Sequence, residues 1–229
     1  MPSLRFLQPG LNLRAPLPSI DVAQIFIAFS VLLFSLTVHE AAHAWAADRL
    51  GDVTARRQGR LSLNPLVHAD PIGTVLFPTL ALMAHVPLIG WAKPVAVRAS
   101  ALGRPRRDYM LVAAAGPASN LALAFASAIV LAVMPVTPVR LGEPNISAPL
   151  AALLSRAVQL NLMLTIFNLL PIPPLDGASV LAGLLPRGVA SRFEAFRPYG
   201  MLLLYAIVAT DAFSYVVLPP YNFLRSWLP

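Results

Sequence analysis

Long apolar stretches, separated by short polar connections, dominate the chain. A helix needs about 20 consecutive apolar residues to span a bilayer. Four stretches reach that length, residues 22–47, 109–135, 149–172 and 199–219. A fifth, residues 71–91, is apolar but is interrupted by prolines and glycines, which are poorly suited to one continuous helix. The pattern predicts about four spanning helices and a fifth segment that is re-entrant or embedded at the membrane surface.

Two polar connections, residues 53–63 and 92–98, have the length of short strands. Neither is long enough to form a sheet by itself. We therefore predict an all-α polytopic membrane protein that forms a single domain over residues 1–229, with short strands confined to these connections.

The composition supports a membrane protein. Hydrophobic residues make up 57% of the 229 residues and charged residues 12%, about half the charged share of a soluble domain. The net charge of +7 could suggest nucleic acid as a partner, but aromatic and basic residues are not interleaved. We expect no nucleic-acid binding. Because the sequence has no cysteine, any metal must be held by His, Asp or Glu side chains.

The first apolar stretch ends in a His-Glu-x-x-His pattern, formed by His39, Glu40 and His43. On a helix, residues four apart share a face, so both imidazoles can reach one ion. Glu40 is rotated about 100° from His39, where it can act as a base on the bound water. Ionisable residues inside a spanning helix are costly and usually functional. The alternative is a helix end that emerges into water.

A zinc site in an enzyme needs a third protein ligand and an open position. Among the few acidic residues, Asp176 follows a proline-rich segment amid apolar residues. The prolines end the preceding helix, so the carboxylate would lie on non-helical backbone at membrane depth. Such backbone is tolerated only where protein or a water cavity surrounds it. An ordinary Asp-Gly turn at the membrane surface is the other interpretation.

Four segments of the chain match motifs of a known family. They are His39-Glu40-x-x-His43, Asn168-x-x-Pro171…Leu175-Asp176-Gly177, Gly116-Pro117-Ala118-Ser119-Asn120 and Asn64-Pro65-Leu66-Val67-His68. On these segments, which span residues 35–185, the chain resembles the site-2 proteases, a family of intramembrane zinc metalloproteases. The resemblance implies one zinc ion held by His39, His43 and Asp176, with Glu40 activating the zinc-bound water.

The resemblance implies less about other residues. It suggests that Asn168 or Asn120 positions the substrate or the oxyanion. His68 lies in a proline-rich loop near the predicted site, where it either touches substrate or makes a structural hydrogen bond. The two short strands would lie near the active site. The chain leaves no room for the PDZ or other regulatory domains of larger relatives, so we expect a compact form.

Zinc ligation constrains the helix directions. His39 and His43 lie near the end of the first span and Asp176 lies just past the end of the third, so these two helices must run in the same direction. One crossing between them suffices, and residues 71–91 should therefore not cross. Most of the 17 basic residues then fall on one side. The positive-inside rule makes that side cytoplasmic and places the active site nearer to it, in a multi-pass protein of the cell membrane.

These observations predict hydrolysis of peptide bonds in or near the transmembrane segments of membrane-protein substrates, within the lipid bilayer. An unwound substrate segment could add as a strand to the polar loops. One alternative is a membrane metal-ion transporter that uses the same three ligands, and another is a non-catalytic metal-binding membrane protein. A transporter requires several weak sites along a path, whereas these ligands cluster at one depth. The sequence leaves the substrate and the oligomeric state open.

Overall fold

The structure is a computed structural model that describes residues 22–77, 79–80, 92–135, 147–210 and 212–228. Its longer helices are α1 (Val22–Arg49), α2 (Pro105–Val133), α3 (Ser147–Asn168), α4 (Asp176–Leu184), α5 (Arg187–Ala195), α6 (Gly200–Val208) and α7 (Ala212–Arg225). Short turns connect them, namely α-helical turns at Thr54–Arg57 and Pro65–His68, a π-helical turn at Pro71–Leu76, and 3-10 turns at Ala99–Ala101 and Arg197–Tyr199. The described residues thus form an all-helical protein.

Three helices are long and apolar enough to cross a membrane, namely α1, α2 and α3, which confirms three of the predicted spans at the level of length and composition. The fourth predicted span, residues 199–219, corresponds to α6 and α7. The two helices bend by 83° relative to one another, so they form either a broken span or a re-entrant loop. The exact number of crossings stays a prediction.

The described part of the predicted re-entrant segment begins with the π-helical turn Pro71–Leu76. The side chain of Asp70 caps this turn, because its Oδ1 accepts hydrogen bonds from the backbone N–H groups of Ile72 and Gly73, at 3.0 and 2.7 Å. Residue 78 and residues 81–91 lie outside the described residues. Whether residues 71–91 cross the membrane therefore stays a prediction.

The two predicted short strands are not confirmed in the described residues. In the first connection, residues Thr54–Arg57 form one helical turn, followed by Gly59 in the left-handed region at φ 69°. Residues 92–98 form neither a helix nor a strand and pair with no described strand. The physical reason is that a strand needs a neighbouring backbone, whereas here side chains from other elements take up several of the backbone groups.

The three longest helices pack against one another, and α4 packs against α2. Small residues allow the close contact: Ala124 and Ala128 of α2 are buried against Val158 and Leu162 of α3. Farther along α1, Ala47 is buried against Val112 of α2. The second half of α1 is thereby enclosed by α2 and α3.

The start of α4 folds back against the end of α3. A Cβ atom at Gly177 would overlap the carbonyl group of Leu169, so only glycine allows this approach. The adjacent Asp176, the first residue of α4, is thus held close to the end of α3. This arrangement brings its carboxylate back towards α1.

Candidate metal centre

Three side chains from α1 and α4 converge on one point. Nε2 of His39 lies 3.0 Å from Nε2 of His43. Oδ2 of Asp176 lies 3.1 Å from Nε2 of His39 and 3.3 Å from Nε2 of His43. Both histidines are buried in the middle of the helix packing. The predicted ligands, far apart in sequence, are therefore brought together as the topology argument required.

The hydrogen bonds made by the two Nδ1 atoms determine whether the Nε2 atoms of His39 and His43 carry a hydrogen or a free lone pair. Nδ1 of His43 lies 2.8 Å from the backbone carbonyl oxygen of Val112, which can only accept, so Nδ1 donates its hydrogen there. Nδ1 of His39 lies 2.5 Å from Oδ1 of Asn120, also an acceptor. With each neutral ring's hydrogen on Nδ1, both Nε2 atoms present lone pairs to each other and to Asp176.

The converging atoms form a group of acceptors without a donor. Oδ2 of Asp176 is buried and has no hydrogen-bond donor among the described residues. Three electron-rich atoms this close repel one another unless a cation lies among them. In a tetrahedral zinc site with bonds of about 2.1 Å, ligand atoms are about 3.4 Å apart, near the separations seen here. His39, His43 and Asp176 could therefore hold a metal ion.

Helix α2 approaches the two histidines through a glycine. A Cβ atom at Gly116 would overlap Nε2 of His43 and would lie 2.6 Å from Cε1 of His39. Any side chain at this position would therefore displace the imidazoles. Gly116 lies in a segment that the sequence singled out, although its contact with the histidines could not be predicted.

Glu40 is buried beside this group and makes a defined contact. Its Oε2 accepts a hydrogen bond from the backbone N–H of Val95 at 2.9 Å. Val95 lies in the irregular segment 92–98, which therefore contacts α1 one residue from a histidine of the site. The bond fixes one oxygen of a carboxylate that the sequence assigned as the base.

The segment 92–98 is itself held at several points. The Nη1 atom of Arg60 donates to the carbonyl oxygens of Lys93 and Pro94, at 3.0 and 3.1 Å. The N–H of Arg98 donates to Oδ2 of Asp52 at 2.6 Å. Both Arg60 and Asp52 are buried, so these bonds are shielded from water. Together they fix the backbone that contacts Glu40.

The remaining sequence-predicted residues are placed as follows. Asn120 is fully buried on α2 and contacts His39. Asn168 is the last residue of α3, and its Nδ2 donates to the carbonyl oxygen of Leu164 at 3.0 Å. His68 is fully buried, and its Nε2 donates to the carbonyl oxygen of Ser62 at 2.9 Å, which matches the structural alternative. Their roles towards substrate stay predictions.

Comparison with known proteins identifies the family. The chain is 41% identical over 191 residues to a protein from Bacillus subtilis (strain 168) named "Putative zinc metalloprotease YwhC", and the match covers 83% of this chain and 84% of that protein. The chain belongs to peptidase family M50. The model of Peptidase family M50 matches residues 136–208, which include Asp176.

Two further M50 relatives carry the name "Putative zinc metalloprotease Rip2". The one from Mycolicibacterium smegmatis is 30% identical over 183 residues, covering 80% of this chain and 66% of the relative. The one from Mycobacterium tuberculosis (strain H37Rv) is 37% identical over 150 residues, covering 65% of this chain and 53% of the relative. No solved structure matches the chain.

As a member of M50, the site-2 protease family, this chain is a zinc metallopeptidase. Its three longest helices are apolar enough to span a membrane. Zinc is its cofactor, and the acceptor-only His/His/Asp group fits that ion by its donor types and spacing. The resemblance seen in the sequence is therefore confirmed.

Proposed function

We propose that this M50 protein is an intramembrane protease of the site-2 type, which cleaves peptide bonds in or near the transmembrane segments of membrane proteins. The observation that supports this most is the group of His39, His43 and Asp176, whose acceptor atoms converge beside Glu40 in a packing of membrane-length helices. Ionisable residues inside membrane-length helices are costly and mark functional sites, which favours a catalytic role for this group.

In this proposal, His39, His43 and Asp176 hold the zinc ion and Glu40 moves the proton. Zinc, when bound, supplies Lewis-acid chemistry that makes water a nucleophile near neutral pH and polarises a carbonyl group. The Glu40 carboxylate accepts the proton from the attacking water and then delivers it to the leaving amine. Because Val95 binds Oε2, the other carboxylate oxygen is the one that exchanges this proton.

Segment 92–98 is the proposed place for the unwound substrate. A substrate helix hides its amide groups in hydrogen bonds, so it must unwind before its carbonyl can be attacked. A non-helical backbone that is already fixed beside Glu40 can bind such a segment as an added strand. The bonds from Arg60 and Asp52 keep this backbone in place before substrate arrives.

The proposal also assigns the remaining residues and the orientation. Asn168, at the end of α3 and shortly before Asp176, is the candidate for binding the oxyanion or the substrate, whereas Asn120 and His68 act within the protein. The basic residues of the connections following α1 and α3 face the cytoplasm in this topology, so the site lies nearer the cytoplasmic side of the cell membrane. The whole chain acts as one protease domain.

The test is cleavage of single-span membrane proteins by the purified protein in detergent, with wild type beside Glu40→Gln and zinc quantified in both. We expect cleavage by wild type only, at equal zinc content, because glutamine keeps the size of the side chain but cannot take the proton. Cleavage by both variants would contradict the role of Glu40. Zinc transport into vesicles by both variants, without cleavage, would instead favour a transporter.

A further inference from the structure

A chain of buried polar groups links the three longest helices to the metal centre. Asn161 of α3 and Asn120 of α2 are both buried in the helix interface. Nδ2 of Asn120 donates to Oδ1 of Asn161 at 2.8 Å, and Oδ1 of Asn120 lies 2.5 Å from Nδ1 of His39. Asn161 belongs to none of the family motifs in the sequence and does not itself contact a ligand in this arrangement.

Backbone carbonyl groups fix the direction of this chain. Nδ2 of Asn161 donates to the carbonyl oxygen of Ala157 at 2.9 Å, so its Oδ1 must face Asn120. Asn120 then turns its Nδ2 to Asn161, with the carbonyl oxygen of Ser35 at 3.5 Å on the same nitrogen. Its Oδ1 is left to face His39, whose Nδ1 must donate.

The two histidines differ in how securely this hydrogen is placed. His43 donates to the backbone carbonyl of Val112, which cannot change from acceptor to donor. His39 donates to the side-chain amide of Asn120, which can flip and present its NH2 group to Nδ1 of His39 instead. If Asn120 turned over, Nδ1 of His39 would have to accept and Nε2 would carry the hydrogen. Such an Nε2 has no lone pair for a metal ion.

We propose that Asn161 is a positioning residue for zinc: through Asn120 it holds His39 in the form whose Nε2 can bind the ion. Outer groups that orient a metal-binding histidine typically change metal affinity or activity by about 10- to 100-fold when they are removed. The inference rests on the proposed function only in taking His39, His43 and Asp176 as the zinc site. It does not depend on which peptide bond is cleaved.

The experiment measures zinc affinity of the full-length protein in detergent, by competition with a chelator, and the visible absorption spectrum after loading with Co²⁺. In Asn161→Leu, which keeps the size but cannot hydrogen-bond, we expect affinity to fall about 10- to 100-fold and the cobalt bands to shift. In Asn161→Asp, a carboxyl oxygen can still accept from Nδ2 of Asn120, so most of the affinity should return.

The matched control is Thr165→Val, one turn farther along α3. Oγ1 of Thr165 is buried and lies 2.8 Å from the backbone carbonyl oxygen of Asn161 in its own helix and 3.2 Å from the carbonyl oxygen of Pro117 across the same helix interface. Its loss removes a polar contact between α2 and α3 and a bond to the backbone of Asn161, but it leaves the side-chain amides of Asn161 and Asn120 bonded as before. We expect zinc affinity and the cobalt spectrum of this variant to match those of wild type.

The proposal is overturned if a folded Asn161→Leu protein binds zinc and cobalt as wild type does. It is also overturned if Thr165→Val loses as much affinity and Asn161→Asp restores none, because packing alone would then explain the loss. If Asn161→Leu does not fold, histidine-selective ¹⁵N NMR of zinc-free wild type decides: the hydrogen of His39 must already be on Nδ1 before the ion binds. Wild type that binds no zinc would refute the zinc site itself, whereas zinc binding without proteolysis would refute only the proposed activity.

Discussion

The backbone N–H of Val95 donates a hydrogen bond to Oε2 of Glu40 at 2.9 Å, across a long separation in sequence. Segment 92–98 therefore helps to position the carboxylate of Glu40, the proposed base, together with α1, which carries it. Because segment 92–98 has no strand partner among the described residues, its position depends on the side chains that bind its backbone and on a backbone hydrogen bond, from the N–H of Lys93 to the carbonyl oxygen of His68 at 2.8 Å. Substitution of those side chains should therefore change the position of the Glu40 carboxylate and leave the proposed metal ligands in place.

Arg60→Met tests this connection. The substitution keeps the length of the side chain but removes both hydrogen bonds to the carbonyl groups of Lys93 and Pro94. Hydrogen bonds from a charged donor contribute about 1.5–3 kcal/mol, so we expect kcat to fall about tenfold or more, with zinc content unchanged. The measurement is cleavage rate together with zinc content.

The matched control for Arg60→Met is Arg57→Met, in the same connection, where the side chain is exposed. It should cleave as wild type does. Equal loss of activity in both variants, or loss of zinc in Arg60→Met, would contradict a specific role of Arg60 in holding the segment.

Gly116→Ala should weaken zinc binding. The added Cβ would overlap Nε2 of His43 and crowd Cε1 of His39, so one imidazole must move away from the ion. We expect zinc affinity to fall at least as far as on loss of an orienting group, about 10- to 100-fold. Competition with a chelator measures this directly.

The control for Gly116→Ala is Gly188→Ala, since a Cβ atom there would meet no atom within 4 Å. Wild-type zinc affinity in Gly116→Ala would contradict the close approach of α2 to the two histidines.

Removal of zinc should lower thermal stability. Without a cation, the lone pairs of His39, His43 and Asp176 face one another inside the protein. Ligand binding to the folded state adds about 4 kcal/mol when the free zinc concentration is about 1,000 times Kd. We therefore expect Tm to rise by several degrees with zinc and to fall again with a chelator. His43→Ala should show no such response, and an identical Tm of wild type with and without zinc would argue against a metal at this site.

Asp52 should make stability depend on pH through its hold on segment 92–98. Burial opposes ionisation, but hydrogen bonds from Thr54 and from the backbone N–H of Arg98, with the positive charge of Arg98, lower the pKa of Asp52 below its ordinary value of 3.8. A lowered pKa in the folded state stabilises the fold above the unfolded pKa, and this contribution is lost as the pH falls through the folded value.

We therefore expect Asp52→Asn to unfold at lower temperature than wild type at pH 7, with the difference disappearing in strong acid. The measurement is Tm of both proteins against pH, with chelator present throughout so that zinc release in acid does not contribute. A difference that persists unchanged below the folded pKa would show that the carboxylate charge is not the cause.

The sequence predicted the parts of the site that depend on local spacing. His39 and His43 share a helix face because they are four residues apart, and this holds in any helix. Asp176 was found through its proline-rich surroundings and the family resemblance. The requirement that α1 and α3 run in the same direction followed from these three positions alone.

Contacts between helices could not be predicted in the same way. Each spanning stretch is apolar on all sides, so its pattern does not show which face meets a neighbour. Asn161 and Gly116 acquire their roles only because those faces of α3 and α2 point inward. A polar residue such as Asn161 inside a spanning stretch was the one available signal, since such residues commonly bind across helices.

The prediction of two short strands is not confirmed, for a related reason. Residues 53–63 and 92–98 have the polarity and length of strands, but a strand also requires a backbone partner, which local sequence does not reveal. In the structure Glu40, Asp52 and Arg60 bind the backbone of segment 92–98. The predicted strand is thus not confirmed for that segment, and side chains bind its backbone instead.

The division of the ligands between α1 and α4 has a consequence for the synthesis of the protein. A chain leaves the ribosome from its N-terminus, so His39 and His43 enter the membrane long before Asp176 has been translated. Two imidazoles can bind zinc only weakly, and the third ligand arrives after α2 and α3 have been inserted. With these three residues as the proposed ligands, the metal site of the newly made chain is therefore incomplete until its own helices have assembled.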